Sequence, residues 1–136
     1  MAKKRKAAAA AARTRKPGLA YDEVRKLGLA LPGVEDSTSY GTPSLKVRGK
    51  FMARLREDGE SLALRIGFPQ REELLHRSPD VFYVTDHYIG YPAVVVRLNK
   101  VSRELMAKLL METWREIAPK KLVAEHDAAD GPRKPS

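Results

Sequence analysis

Apolar and polar residues alternate in three segments near the middle of the chain, residues 45–48, 51–56 and 62–66. A period of two is typical of a strand with one face in the core and the other in solvent. Between the second and third segments, Asp58-Gly59 is a common hairpin turn. This turn places apolar residues opposite one another, pairing Leu55 with Leu62, Ala53 with Leu64 and Phe51 with Ile66.

Helical spacing appears on both sides of these strands. Apolar residues recur every three or four positions over residues 21–31 and 105–117, which predicts a helix in each segment. A shorter helix is predicted to begin at Pro69, because proline favours the first turn of a helix. Residues 81–84 and 93–98 are rich in valine and aromatic residues and indicate two more strands.

The predicted order of elements is therefore α-β-β-β-α-β-β-α. Antiparallel strands with separate helices indicate a two-layer α+β domain, with the helices on one face of the sheet. For the first hairpin we expect a three-residue loop, residues 48–50, which matches Val47 to Phe51. A two-residue loop at Gly49-Lys50 would instead place Arg48 opposite Phe51.

The charge of the chain is concentrated at its beginning. The 136 residues include 26 Lys and Arg against 17 Asp and Glu, a net charge of +9, whereas residues 19–119 carry 15 basic and 14 acidic side chains. Residues 1–18 hold seven basic residues and no acidic, aromatic, Leu, Ile or Val residue. Such a composition predicts a disordered segment. We call residues 1–18 the basic arm; its cations are Lys3, Lys4, Arg5, Lys6, Arg13, Arg15 and Lys16. We predict a folded domain over residues 19–125 and a flexible tail over residues 126–136.

The composition and motifs disfavour several classes of protein. The chain has no cysteine, which excludes disulfides and thiolate metal sites, and it has no apolar run long enough to span a membrane. Its three histidines, His76, His87 and His126, lack metal-ligand spacing. No nucleophile elbow or Gly-rich phosphate loop occurs. We expect a cytoplasmic protein that is not an enzyme and needs no cofactor or metal.

Three segments resemble the MmcQ/YjbR family of small bacterial proteins. They are LPGVEDSTSYGTPSLKVRGKFMARL, SPDVFYVTDHYIGYPAVVVRL and the last predicted helix with its tryptophan. The similarity covers roughly residues 21–125 and leaves out the basic arm. It implies a fold that has been likened to a double-wing DNA-binding motif, and DNA binding is expected on that likeness alone. The family provides no catalytic or ligand motif to carry over to this sequence.

The polar face of the predicted sheet gathers cations and no carboxylate. We call it the basic sheet face; its cations are Lys46, Arg48, Lys50, Arg54, Arg56, Arg65 and Arg97. The same alternation places Met52 and Ala63 on this face. Guanidinium groups bind phosphate bidentately and stack on bases, so we expect this face and the basic arm to bind nucleic acid, with DNA favoured, electrostatically and without reading sequence. The alternative is a solvated sheet face whose long cations deter edge-to-edge pairing.

Aromatic residues are concentrated between the last two predicted strands. We call residues 83–91 the aromatic loop; its members of interest are Tyr83, His87, Tyr88 and Tyr91, and Tyr40 could lie near them. Such a cluster can stack a base or a planar ligand. It can equally cover the edge of the core with its hydroxyls in water. The alternative function is therefore a module that binds a small ligand or a protein through this loop.

Overall fold

The computed structural model describes residues 18–130, which form four α-helices and six strands. The helices are α1 (Tyr21–Leu29), α2 (Phe68–Arg77), α3 (Arg103–Ile117) and α4 (Lys120–Asp130). The strands are β1 (Val34–Ser39), β2 (Thr42–Val47), β3 (Lys50–Leu55), β4 (Ser61–Arg65), β5 (Phe82–Tyr83) and β6 (Ala93–Arg97). The seven cations of the basic arm lie outside the described residues, as do residues 131–136.

One antiparallel sheet carries the fold, with strand order β1-β2-β3-β4-β6-β5. Its first face packs against the helices in a core that includes Leu64, Val94, Met106, Leu110 and Trp114, all of them buried. This arrangement confirms the predicted two-layer α+β domain. The alternating pattern of β4 and β6 explains it, because every second residue of these strands contributes to this core.

Strand β1 was not predicted from the sequence. Its residues, VEDSTS, lack apolar alternation and therefore resemble a loop. The strand forms because its backbone pairs with β2 over its whole length, from Val34 opposite Val47 to Ser39 opposite Thr42. As an edge strand it needs few apolar side chains, since only one neighbour pairs with it.

Helix α4 extends beyond residue 125, where the folded domain was predicted to end. The helix continues to Asp130. The Arg115 guanidinium holds Asp127 with two hydrogen bonds, of 2.6 and 3.1 Å. The His126 ring packs edge-on against the Trp114 ring with centroids 5.0 Å apart. These contacts with α3 explain why the segment from residue 126 to residue 130 is ordered as a helix.

The two predicted hairpins differ in outcome. The β3–β4 register is confirmed, with Leu55 opposite Leu62 and Ala53 opposite Leu64. The three-residue loop between β2 and β3 was wrong, because Val47 pairs with Lys50 across a two-residue turn. Arg48 and Gly49 in this turn have φ angles of +51° and +86°. Positive φ at both positions is the requirement of a type I′ turn, whose twist matches that of the strands.

A β-bulge in β3 changes which side chains reach the core. Ala53 pairs with Leu45, but Phe51 pairs with Lys46, so Met52 is an extra residue in β3. Met52 and Ala53 both enter the main core, and Phe51 moves to the second face of the sheet. The predicted pairing of Phe51 with Ile66 was therefore wrong, as was the placement of Met52 on the polar face.

Substitution of Trp114 by Phe tests the junction between α3 and the segment before β1. The buried indole donates a hydrogen bond of 2.7 Å from Nε1 to the Pro32 carbonyl oxygen. Trp114→Phe leaves that oxygen without its donor and opens a small cavity, so we expect the free energy of unfolding to fall by about 2–4 kcal/mol. Urea unfolding followed by circular dichroism measures the loss. The volume-conserving Met111→Leu in the same helix is the control, and equal losses in the two variants would contradict the role of the indole.

Candidate binding groove

The second face of the sheet is partly covered by the aromatic loop. Residues Asp86–Tyr88 form one turn of 3-10 helix, which folds Tyr88 back onto the sheet. Tyr88 is buried there against Ala63, Ala93 and Val95, and these residues form a second, smaller apolar cluster. Although the helices lie on the other face, this face is therefore not fully open, because the loop between β5 and β6 packs on it.

Arg71 of α2 holds the aromatic loop in this position. Its guanidinium is buried, with 5% of the residue exposed. It donates hydrogen bonds of 2.9–3.1 Å to four backbone carbonyl oxygens, those of Tyr88, Ile89, Tyr91 and Ala93. The Phe68 ring lies under the guanidinium at 4.8 Å. A single side chain thus fixes the backbone of the loop at three points and joins it to the first residue of β6.

Arg54 of β3 joins three segments on the same face. It was predicted to be exposed, but only 5% of the residue is accessible. Its Nε donates to the Ser39 carbonyl oxygen at 3.0 Å, and its Nη1 lies 3.4 Å from the Tyr88 hydroxyl. Its Nη2 contacts a Glu57 carboxylate oxygen at 2.5 Å. The guanidinium is buried because the β1–β2 turn and Tyr88 both close over it.

Between these parts lies a groove of about 790 Å³. The sheet contributes four cations of the predicted basic sheet face, Lys46, Lys50, Arg54 and Arg65. Two loops contribute the rings of Tyr40, His87, Tyr88 and Tyr91. The groove therefore brings together most of the basic sheet face and most of the aromatic cluster, which the sequence had presented as two separate candidate sites.

The cations of the groove differ in their partners. Arg54 pairs with Glu57, and Arg65 pairs with Glu116 of α3 at 3.3 Å. The side-chain ammonium groups of Lys46 and Lys50 make no hydrogen bond or ion pair with any residue between 18 and 130. Glu35 of β1 stands opposite Lys46 in the register, on the same face. The expectation of a face without carboxylates was wrong, because it missed β1 and the end of α3.

The remaining residues of the basic sheet face lie outside the groove. The Arg97 guanidinium stacks over the Tyr83 ring at 4.3 Å and donates to the Asp80 carbonyl oxygen at 3.2 Å. Arg56 donates to the Tyr83 hydroxyl at 3.1 Å. Arg48 extends to the helix side of the sheet and lies beside Gly33, where a Cβ added to this glycine would be 3.4 Å from the Arg48 Nε. Arg97 and Arg56 are thus partly occupied by Tyr83, which does not line the groove.

The aromatic rim of the groove is exposed. Tyr40 is 82% accessible and Tyr91 is 61% accessible. Tyr40 also has a φ angle of +53° in the two-residue turn between β1 and β2, followed by Gly41 at +82°. This first turn position normally favours Asn, Asp or Gly, because a side chain with a Cβ is strained there. The His87 ring is 6.3 Å from the Tyr91 ring, centroid to centroid.

Two other kinds of structural feature are absent from residues 18–130. Between residues 18 and 130, no group of three or more histidine, aspartate or glutamate side chains is placed to hold a metal ion. Within the same range, no helix has both the length and the apolar character that crossing a membrane requires.

Fold and groove together define a small two-layer α+β protein with a basic, aromatic-rimmed groove on the sheet face opposite its helices. The model of the YjbR family matches residues 29–116, which is more than half of the chain, and the chain belongs to that family. The match includes β1 to β6 and most of α3, and hence every described residue of the groove except Ile117.

Two curated relatives and one solved structure are similar to parts of this chain. The chain is 40% identical over 58 residues to the Mycobacterium tuberculosis protein named Uncharacterized protein Rv2570, and equally to Uncharacterized protein Mb2600 of Mycobacterium bovis. These matches cover 43% of this chain and 45% of each relative, so they span about half the length of the curated relatives. The crystal structure of Deinococcus radiodurans protein DR2400, with domain DUF419, aligns with a TM-score of 0.65 and 23% identity. That alignment covers 78% of this chain and 83% of the other, and it supports the fold.

Sequence reasoning missed Arg71 and Glu116. A signal for Arg71 was present, because it precedes Leu74 by three residues and Leu75 by four, on the face of α2 that turns inward. A charged residue at a core-facing position indicates a buried polar network. Glu116 gave no comparable signal, because it comes close to Arg65 only through the packing of α3 against the sheet.

Replacement of Arg71 tests whether it positions the aromatic loop. Arg71→Met removes the donors from four carbonyl oxygens, and we expect the free energy of unfolding to fall by about 2–4 kcal/mol. Hydrogen exchange of the Tyr88, Ile89 and Tyr91 amides should accelerate more than exchange in β2 and β3. The control is Arg77→Met, which removes an exposed cation from the same helix. Uniform acceleration across the sheet would show that Arg71 stabilises the whole domain rather than this loop.

Proposed function

We propose that the protein binds an unpaired nucleic-acid strand in the groove, without reading base sequence. The observation that carries the proposal is the combination of exposed rings and unpartnered cations around one groove. Tyr40 and Tyr91 offer stacking surfaces, while Lys46 and Lys50 offer positive charge to phosphates. Stacking on aromatic side chains beside a positively charged groove is the usual way to bind a single strand without sequence preference.

The conformation of Tyr40 supports the stacking role. A residue with a Cβ in the left-handed region costs about 1–2 kcal/mol relative to the right-handed region. Its ring is 82% exposed, and its one described aromatic contact is with the Arg54 guanidinium at 5.1 Å. Packing alone thus provides little compensation for the strain. Strain held at an exposed aromatic residue favours a role in binding.

Shape favours an unpaired strand over a duplex. The cationic floor is recessed, and Arg54 is buried beneath Tyr40 and Tyr88. The backbone of a duplex would meet the rim first, and its bases would already be stacked on each other. An unpaired strand presents its bases to the rim and its phosphates to Lys46 and Lys50. Major-groove reading by an exposed arginine-rich ribbon is disfavoured because Arg54 and Arg97 are already engaged.

The basic arm adds attraction in this proposal. Its seven cations have no acidic neighbour in sequence, whereas residues 19–119 are almost neutral. Phosphate contacts by such cations strengthen binding at low salt and are weakened by added salt. The arm therefore supplies a sequence-independent share of the affinity, and the groove supplies the preference for unpaired bases.

A second candidate is a small planar anion, such as a single nucleotide, in the same groove. The volume of about 790 Å³ favours it, because sites for small molecules commonly enclose about 300–1,000 Å³. In this alternative the affinity for a mononucleotide would equal or exceed that for each nucleotide of a longer strand. Titration with both a mononucleotide and an oligonucleotide distinguishes the two candidates.

Replacement of Tyr40 by Asn tests the stacking role without loss of the turn. Asn tolerates positive φ, so we expect the free energy of unfolding to stay the same or rise by up to ~1 kcal/mol. Affinity for an oligothymidine strand of about 15 nucleotides should fall about tenfold, because stacking contributes about 1–3 kcal/mol per base. Fluorescence anisotropy measures the affinity, and the matching duplex should bind more weakly than the strand.

Ile89→Ser is the matched control for this experiment. Ile89 is an exposed apolar residue of the aromatic loop that does not line the groove. We expect this variant to bind the strand as the unchanged protein does. Equal affinity of Tyr40→Asn and the unchanged protein would contradict stacking on Tyr40, and a preference for the duplex would overturn the proposal.

The two lysines of the groove allow a test of the phosphate contacts. The double variant Lys46→Gln, Lys50→Gln should lower the dependence of log Kd on log salt by about 1.4, the value for two contacts with a single strand. The control removes the same charge elsewhere, at Lys100 and Lys108, which are exposed and do not line the groove. The same decrease in both double variants would show that only net charge matters and that the groove is not the contact.

A further inference from the structure

A smaller cavity of about 220 Å³ adjoins the groove. The two cavities share Tyr40, Arg54, His87 and Tyr88, whereas Arg56 and Glu57 line only the smaller one. Two guanidinium groups and one imidazole therefore surround this space with a single carboxylate. The excess of donors over acceptors makes it a candidate for an anion.

The one carboxylate is bound to the most buried of these cations. Arg54 has three contacts, with the Ser39 carbonyl oxygen, the Tyr88 hydroxyl and Glu57, and only the last partner is charged. A buried guanidinium needs an anionic partner, because burial of an uncompensated charge is costly. Glu57 meets this need, although 69% of its side chain is exposed.

Because Glu57 is exposed, another anion can take its place on Arg54. Glu57 belongs to the turn between β3 and β4, beyond the last paired residues of the hairpin, Leu55 and Leu62. Because most of the Glu57 side chain already faces solvent, its carboxylate can leave Arg54 at little cost when another anion takes its place. The hydrogen bond from its own backbone N–H, and then the one from Arg54, hold the pKa of the Glu57 carboxyl below its ordinary value. Glu57 is therefore a carboxylate at neutral pH and competes with any other anion for Arg54.

We propose that this cavity is a phosphate-binding subsite in which the Glu57 carboxylate occupies the place on Arg54 that a ligand phosphate takes. Carboxylate and phosphate both accept paired hydrogen bonds from one guanidinium, so one can replace the other. Arg56 would contribute the second guanidinium, since its described partners, Ser61 and Tyr83, are neutral hydroxyls. On binding, Glu57 moves out into solvent with the turn that carries it.

The inference deepens the proposed function, because the phosphate would belong to a strand whose bases stack on the rim. It does not require that function, since free phosphate presents the same chemistry. The other two carboxylates of the turn, Asp58 and Glu60, do not line the cavity. Asp58 accepts hydrogen bonds from the backbone N–H groups of Glu60 and Ser61. Glu57 is thus the carboxylate that competes for Arg54.

Glu57→Gln tests the competition directly. We expect sodium phosphate to bind this variant about fivefold more tightly than the unchanged full chain, because the uncharged amide does not compete for Arg54. Amide chemical shifts of Tyr40 and Arg54 report binding, at constant ionic strength maintained with sodium chloride. Glu60→Gln is the matched control, because it removes one negative charge from the same turn at a residue outside the cavity.

Arg56→Gln provides the loss-of-binding variant. Arg56 is half-buried, so the variant should fold, and a thermal melt by circular dichroism checks that it does. We expect its affinity for phosphate to fall at least fivefold. Equal tightening by Glu57→Gln and Glu60→Gln would overturn the subsite, as would phosphate binding that Arg56→Gln leaves unchanged. Failure of phosphate to bind both the unchanged chain and Glu57→Gln would overturn it as well.

A strand with and without a 5′-phosphate separates this inference from the proposed function. Tightening of the phosphorylated strand and of free phosphate by Glu57→Gln supports the subsite as part of the strand site. Tightening of free phosphate alone, with no strand binding, supports the subsite and contradicts the proposed function. Strand binding that is insensitive to Glu57→Gln, together with no phosphate binding, supports the proposed function and overturns the subsite.

Discussion

The second face of the sheet depends on one buried guanidinium, that of Arg71. Four backbone carbonyl oxygens of the aromatic loop and β6 converge on it, within 3.1 Å. A loop of this length would otherwise have several conformations, because few of its backbone groups pair with a strand. With the carbonyls fixed, Tyr88 is held against the sheet, and the exposed His87 and Tyr91 rings keep their positions at the rim. The groove exists because this loop stands above the sheet at a fixed height.

Arg54 connects that loop to the opposite rim. Its position follows from the β3–β4 register, in which Arg54 pairs with Ala63 on the face opposite the main core. There it contacts the carbonyl oxygen of Ser39, next to Tyr40, as well as the hydroxyl of Tyr88. One side chain thus ties the β1–β2 turn to the aromatic loop across the floor of the groove. The arginine that the sequence presented as a surface cation is part of the framework that holds the rim.

Local pattern predicted the core of the fold but not its second face. Alternation and turn residues determine the β3–β4 hairpin, because Leu55 and Leu62 must both reach the core. The same reasoning failed at Phe51, since a bulge shifts the alternation by one residue without a distinct signature. The prediction missed β1, because an edge strand is held by backbone pairing and its side chains need no apolar pattern. For the groove, the sequence could predict that cations lie together on one sheet face and that aromatic residues cluster in one loop. The pairing of Arg65 with Glu116, from segments 51 residues apart, could not be predicted, because it depends on tertiary packing.

The distribution of charge has a consequence for how binding would proceed. Arg54 and Arg65 of the groove are both paired with glutamates, and residues 19–119 carry a net charge of only +1. The folded domain therefore contributes a weak long-range field, whereas the seven cations of residues 1–18 are not opposed in sequence. Exposed charges act over about 10 Å at 0.1 M salt, and contacts in a recessed groove act only after encounter. In the proposed function the basic arm would therefore govern the rate of association. The aromatic rim and the phosphate-binding subsite at Arg54 would govern dissociation, because stacking and paired hydrogen bonds must break before the ligand leaves. Added salt would thus lower the association rate constant, whereas substitution of the rim tyrosines would raise the dissociation rate constant. Binding through net charge alone would not separate the two effects.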